Sequence, residues 1–112
     1  MVYGSTSVLL MADTSSLVEH HLMQISSSTD LISTILKVGH HGSKTSSAPD
    51  FVAEVNPQIA IISDGKNNKY GFPKQQTLDI LASDSVQVRR TDEKGTVTCT
   101  SNGAAFTCST EY

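Results

Sequence analysis

Ile59-Ala60-Ile61-Ile62 is an uninterrupted apolar run, the kind that a strand covered on both faces requires. Upstream of it, Ser47 can cap a helix through Pro49 and Asp50, which suit a first turn. Phe51, Val52 and Val55 form one apolar face of that helix, and Asn56-Pro57 ends it. Downstream, a polar loop from Ser63 to Gly71 leads to Pro73, which opens a further helix carrying Leu78, Ile80 and Leu81 and closing in Ala82-Ser83-Asp84-Ser85.

The same alternation extends in both directions. Ser7 to Met11 reads as a short buried strand ending in Ala12-Asp13. A helix follows, with Ser16 and Glu19 as a capping box and Val18, Leu22 and Ile25 at helical spacing, until Ser26-Ser27-Ser28-Thr29 stops it. Leu31 to Val38 is a second apolar run, ending at Gly39-His40-His41-Gly42-Ser43. Val86 to Arg90, Thr96 to Thr100 and Ala105 to Cys108 read as the last strands, with Asp92-Glu93-Lys94-Gly95 between the first two. Strand–helix alternations followed by a hairpin predict an α/β layer with largely interior strands.

At 112 residues the chain is one domain or part of one. Its 38% hydrophobic and 17% charged residues argue against full disorder. Eight basic against 11 acidic residues give a net charge of −3, so a polyanion partner must be met by a local site, not by the overall field. No apolar run approaches a membrane span, and the expectation is a soluble chain.

Cys99 and Cys108 flank a hairpin signal, Ser101-Asn102-Gly103-Ala104. A two-residue Asn102-Gly103 turn would make the sulfurs diagonal neighbours and leave two free thiols, the favoured reading. A four-residue loop from Asn102 to Ala105 would place them face to face. Two cysteines do not decide the compartment.

His40 and His41 fall where a buried strand runs out into a glycine-flanked loop, and Asp13 stands at the end of another strand. From such strand ends α/β folds present ligands and catalytic groups. A neutral imidazole and a carboxylate converging there form a partial site for a divalent cation. In extended backbone adjacent residues face opposite ways, so one histidine is the ligand candidate unless the chain turns between them. Parity with Leu36 and Val38 favours His40, leaving His41 to orient substrate or donate a hydrogen bond. The plainer alternative is that both histidines cap a strand and face water.

The segment Leu36-Lys37-Val38-Gly39-His40-His41-Gly42-Ser43-Lys44-Thr45-Ser46-Ser47 resembles the HHGS signature of competence-type metallo-β-lactamase-fold hydrolases, the ComEC family of DNA-uptake proteins. Three more stretches resemble that family in order: Leu9-Leu10-Met11-Ala12-Asp13, Gly65-Lys66-Asn67-Asn68-Lys69-Tyr70-Gly71-Phe72-Pro73 and Arg90-Thr91-Asp92-Glu93-Lys94-Gly95-Thr96. The resemblance implies two packed β-sheets between outer helices, an αββα sandwich, with a site for one or two divalent ions, Zn or Mn, at one edge. It further implies Asp13 as bridging carboxylate, His40 or His41 as a metal ligand, and all three as the catalytic set. Ser43, Lys44, Asn67, Asn68 and Tyr70 would line the mouth, where Lys44 could meet a phosphate.

The family's early H-x-H-x-D-H cluster is absent here. His20 and His21 lie on a predicted helix without that spacing and are expected to face solvent. Residues 1–112 therefore read as the C-terminal half of the domain, whose N-terminal half would be its partner, and the chain alone as an inactive phosphodiester hydrolase of the DNA-uptake nuclease type. Alternative readings are a phosphodiesterase acting on small or phosphocholine-bearing esters, and a non-catalytic scaffold that has lost its metal site. As part of a longer protein it could be extracytoplasmic. Val8, Leu10, Ile59 and Ile61 are expected to be exposed and to drive self-association. Phe72, where relatives carry His, and Ala12, where they carry Gly, depart from the pattern, the latter mattering if that position needs a positive φ.

Overall fold

The computed structural model describes residues 1–27 and 29–112; the expected helix stop at Ser28 lies outside the described residues. In chain order the elements are β1 (Val2–Tyr3), β2 (Thr6–Leu10), α1 (Ser16–Ile25), β3 (Ile35–Lys37), α2 (Pro49–Val55), β4 (Ile59–Ile62), α3 (Gln75–Ser83), β5 (Gln87–Arg90), α4 (Thr91–Lys94), β6 (Val97–Ser101) and β7 (Phe106–Thr110). A five-stranded sheet has the order β1-β2-β3-β4-β5, and β6 pairs with β7 in a second sheet. Strands β2 to β5 are parallel, while β1 is an antiparallel edge. Among the described residues the result is a mixed α/β domain with two sheets and four α-helices.

Register explains the core. Leu9, Leu36, Ala60 and Val88 lie side by side across the four parallel strands. They pack with Phe51, Val52 and Val55 of α2 and Leu81 of α3, so the continuous apolar runs are covered by helices. By alternation the other face carries Val8, Ile35 and Ile59, then Leu10, Lys37 and Ile61. The β6–β7 hairpin stands over part of it across an open cleft of about 490 Å³, between Ile59 and Phe106. Of the four residues expected to be exposed, Leu10 is 60% exposed, Ile59 is buried, and Val8 and Ile61 are half-buried.

The apolar face read for α1 is buried only in part, with Leu22 packed against the core. Val18 and Ile25 are exposed, whereas Glu19 is fully buried and its carboxylate accepts the backbone N–H groups of Ser47 and Ala48 at 2.6 and 2.9 Å. Those donors open α2, whose own N-cap, Ala48, supplies no side-chain bond. Glu19 thus serves the terminus of a neighbouring helix instead of a capping box in its own. Burial holds its carboxyl above the usual carboxylate range, against the lowering effect of the Ala48 and Ser47 N–H groups.

Asp92-Glu93-Lys94, which separates two of the expected strands, forms with Thr91 the single turn α4. Arg90 organises it, donating from Nε and Nη2 to Asp92 at 3.0 and 2.7 Å and pairing Nη1 with Glu93 at 3.0 Å.

The free-thiol reading is corrected: Cys99 and Cys108 are directly opposed in the ladder and form a disulfide. The loop has four residues, Asn102 to Ala105, because Asn102 Oδ1 accepts the N–H groups of both Ala104 and Ala105 at 2.9 Å. The hairpin tip docks on the β1–β2 turn through Ser5 N–H to the Gly103 carbonyl at 2.6 Å. A Cβ on Gly4 would run into that carbonyl.

Candidate functional site at the carboxyl edge of the parallel sheet

Because β2 to β5 run in one direction, the residues that follow them meet at one edge. Asp13 follows β2, His40 and His41 follow β3, Ser63 and Asp64 follow β4, and Thr91 follows β5. Ala12 has a φ of +51°, so this alanine occupies the left-handed region where glycine is free of strain. Its carbonyl accepts the His40 N–H at 2.7 Å, tying β2's exit to the histidine turn.

The histidines are not in extended backbone. Gly39–Gly42 forms a short helical turn in which His40 and His41 have φ of 49° and 55°, so the parity that favoured His40 does not operate. His40 Nδ1 meets Thr45 Oγ1 at 3.4 Å and its ring lies 6.0 Å from that of Phe72. His41 instead turns to Asp13, with Nε2 at 3.9 Å from Oδ1, and its Nδ1 is 2.6 Å from the Ser63 carbonyl oxygen. Gly42, at φ +79°, allows this turn to close on Pro73, whose Cβ would lie 2.6 Å from a side chain at position 42.

The Ser63 carbonyl can only accept, so His41 Nδ1 carries the hydrogen. In the neutral ring Nε2 is then a lone pair facing the Asp13 carboxylate. Two acceptors 3.9 Å apart are within reach of a cation bonding each at about 2.0–2.2 Å, and a carbonyl on the far nitrogen is the usual support of a metal-ligating histidine. The pair fits a divalent cation as two of its ligands. No third His, Cys, Asp or Glu joins it among the described residues.

Asp64, not singled out in the sequence, borders the same place. Its N–H and carbonyl are both held by Thr91 Oγ1 at 2.8 Å. Burial and then the Asp92 carboxylate hold its carboxyl above the usual range, against the nearby charges of His41, Arg90 and Lys37. Oδ2 is buried without a hydrogen-bond partner among the described residues. Half-buried Lys37 has its ammonium pushed below the usual lysine range by burial, with Asp64 and Asp13 opposing. A carboxylate within three residues of the end of an apolar strand, as at Asp13, was the available sequence signal.

The residues expected at the mouth separate by role. Ser43 is buried, with Oγ against Thr45 Oγ1 at 2.9 Å. Lys44 and Asn67 are exposed. Asn68 organises its loop: Oδ1 accepts the N–H groups of Tyr70 and Phe72, and Nδ2 donates to the Gly65 and Phe72 carbonyls. Tyr70 is 60% exposed and stacked on Phe72. An open cleft of about 400 Å³ joins His41, Asp64, Asn68, Tyr70 and Phe72.

No family model matches the chain, and no solved structure matches it. The chain is 40% identical over 97 residues to ComE operon protein 3 of Bacillus subtilis, covering 87% of this chain and 12% of that protein. It is 35% identical over 94 residues to Recombination protein 2 of Haemophilus influenzae, covering 84% of this chain and 11% of that protein. It is 36% identical over 66 residues to Competence protein ComA of Neisseria gonorrhoeae, covering 59% and 10%. The chain spans about a tenth of the length of these curated relatives. With the fold and the histidine turn in place, these identities make the chain a homologue of one short segment of competence-associated proteins.

Proposed function

We propose that the chain is the C-terminal half of a metallo-β-lactamase-type αββα domain. It contributes Asp13 and His41 to the metal site of a hydrolase that cleaves phosphodiesters in competence and DNA uptake. Homology to competence-associated proteins supports the biological setting. One observation carries the chemistry: His41 is held by the Ser63 carbonyl with its free nitrogen turned to Asp13.

A divalent cation, Zn or Mn, would supply activation of water and neutralise charge on a phosphoryl oxygen. Asp13 and His41 Nε2 would hold that cation, and the Ser63 carbonyl keeps the imidazole in the tautomer that leaves Nε2 free. The exposed ammonium of Lys44 is available to a phosphate approaching from solvent. Since Asp13 and His41 are two ligands only, the isolated chain binds metal weakly and does not turn over. The partner supplying the other ligands is an upstream segment of a longer polypeptide.

The test assays bis(p-nitrophenyl) phosphate and single-stranded DNA with Mn²⁺ or Zn²⁺. It compares this chain with a longer polypeptide that includes an upstream H-x-H-x-D-H segment. Turnover by the longer polypeptide, abolished by Asp13→Ala, is the expected result. Robust turnover by the isolated chain, lost in Asp13→Ala, would overturn its assignment as an inactive half. No metal-dependent turnover by either would overturn the hydrolase reading.

A further inference from the structure

The cleft that ends at His41 has an aromatic wall that catalysis at Asp13 and His41 does not use. The Tyr70 and Phe72 rings are 5.5 Å apart at an interplanar angle of 18°. Lys69 Nζ lies 5.2 Å from the Tyr70 centroid, and Lys74 Nζ lies 5.6 Å from that of Phe72. Lys74 also donates to the Tyr70 carbonyl at 3.0 Å, fixing its position beside the pair. The loop is held by the Asn68 amide, whose two ends make four bonds to backbone atoms.

A tyrosine serving the core would be buried, and Tyr70 is 60% exposed. Its ring is therefore preorganised toward solvent, at the open side of the cleft shared with His41. Flat rings flanked by ammonium groups suit a ligand with a π-face and a negative charge, the combination a nucleotide presents. They suit a quaternary ammonium ligand poorly, because Lys69 and Lys74 already place positive charge over both rings.

We infer that Tyr70, stacked on Phe72 and flanked by Lys69 and Lys74, is a base-stacking subsite that receives a single-stranded polynucleotide beside His41. The subsite rests on the phosphodiesterase reading for its place in a reaction, but its binding requires no metal. The exposed ring takes a base by stacking once the Lys69 ammonium moves off it to an adjoining phosphate, and neither lysine reads sequence.

Fluorescence anisotropy of the full chain in chelator tests this with labelled oligothymidylate and an abasic strand of equal length and charge. The base-bearing strand is expected to bind more tightly by on the order of tenfold. Tyr70→Ala should remove that preference, Tyr70→Phe should keep it, and Lys69→Ala should weaken both strands alike. Upfield shifts of the thymine protons should appear with the unaltered chain and vanish with Tyr70→Ala. Equal binding of the two strands, binding of neither, a preference surviving Tyr70→Ala, or displacement of oligothymidylate by phosphocholine would each overturn the subsite. Asp13→Ala should leave the preference intact. Failure of the hydrolase reading is thus seen as absent turnover with base preference retained, and failure of the subsite as the reverse.

Discussion

His41 Nε2 faces Asp13 Oδ1 across 3.9 Å while the other nitrogen of the same ring is bound to the Ser63 carbonyl at 2.6 Å. The two contacts divide the work of one imidazole between anchoring and presentation. Without metal, long-range ¹H–¹⁵N spectra of the neutral imidazole should show the hydrogen on His41 Nδ1 and none on Nε2. The opposite tautomer would contradict the assigned hydrogen bond.

Zinc titration followed by heteronuclear NMR should move Asp13 and His41 together, at low affinity. His41→Ala or Asp13→Ala should weaken binding by on the order of tenfold or more. His40→Ala should leave it nearly unchanged, because His40 turns toward Thr45 and Phe72.

Glu19→Ala should cost about 2–4 kcal/mol, measured by urea denaturation. The substitution strands the Ser47 and Ala48 N–H groups at the start of α2 and empties a fully buried position.

Asp64 makes the stability of this edge depend on pH. A carboxyl that holds its proton more tightly in the folded chain stabilises the fold most below its ordinary range and loses that contribution as pH rises through its folded value. Burial, first, and Asp92 raise Asp64 in this way. Asp64→Asn should therefore raise the unfolding free energy read from urea denaturation at pH 7, by under about 1 kcal/mol because solvent screens the partly exposed group. The gain should disappear below about pH 4.

Reduction of Cys99–Cys108, or the Cys99→Ser, Cys108→Ser double substitution, should cost about 2–3 kcal/mol in the short loop it closes. Amide exchange should accelerate first in β6 and β7, since a two-stranded ladder is marginal by itself. Protection around Leu36 and Phe51, in the other sheet's core, should persist.

Local pattern accounts for what was legible. β4 declares itself through four apolar residues in a row, and α2 through Pro49 and an apolar face that is indeed buried. Asp13 and the histidine pair stand out because they follow apolar strands. Contacts between distant segments carry no such signature. Glu19 finds its donors 28 and 29 residues away, and His41 finds its carbonyl 22 residues away. The parity argument for His40 assumed extended backbone, and two left-handed residues stand in its place. The disulfide was missed because loop length turned on one asparagine side chain accepting two N–H groups.

The oxygen that fixes the His41 proton belongs to the peptide unit of residue 63 and not to its side chain. Spelling at that position can drift without disturbing the imidazole, whereas a one-residue insertion at the end of β4 would displace the acceptor and silence the ring. Tolerance to exchange and intolerance to a shift in length are thus built into the same spot.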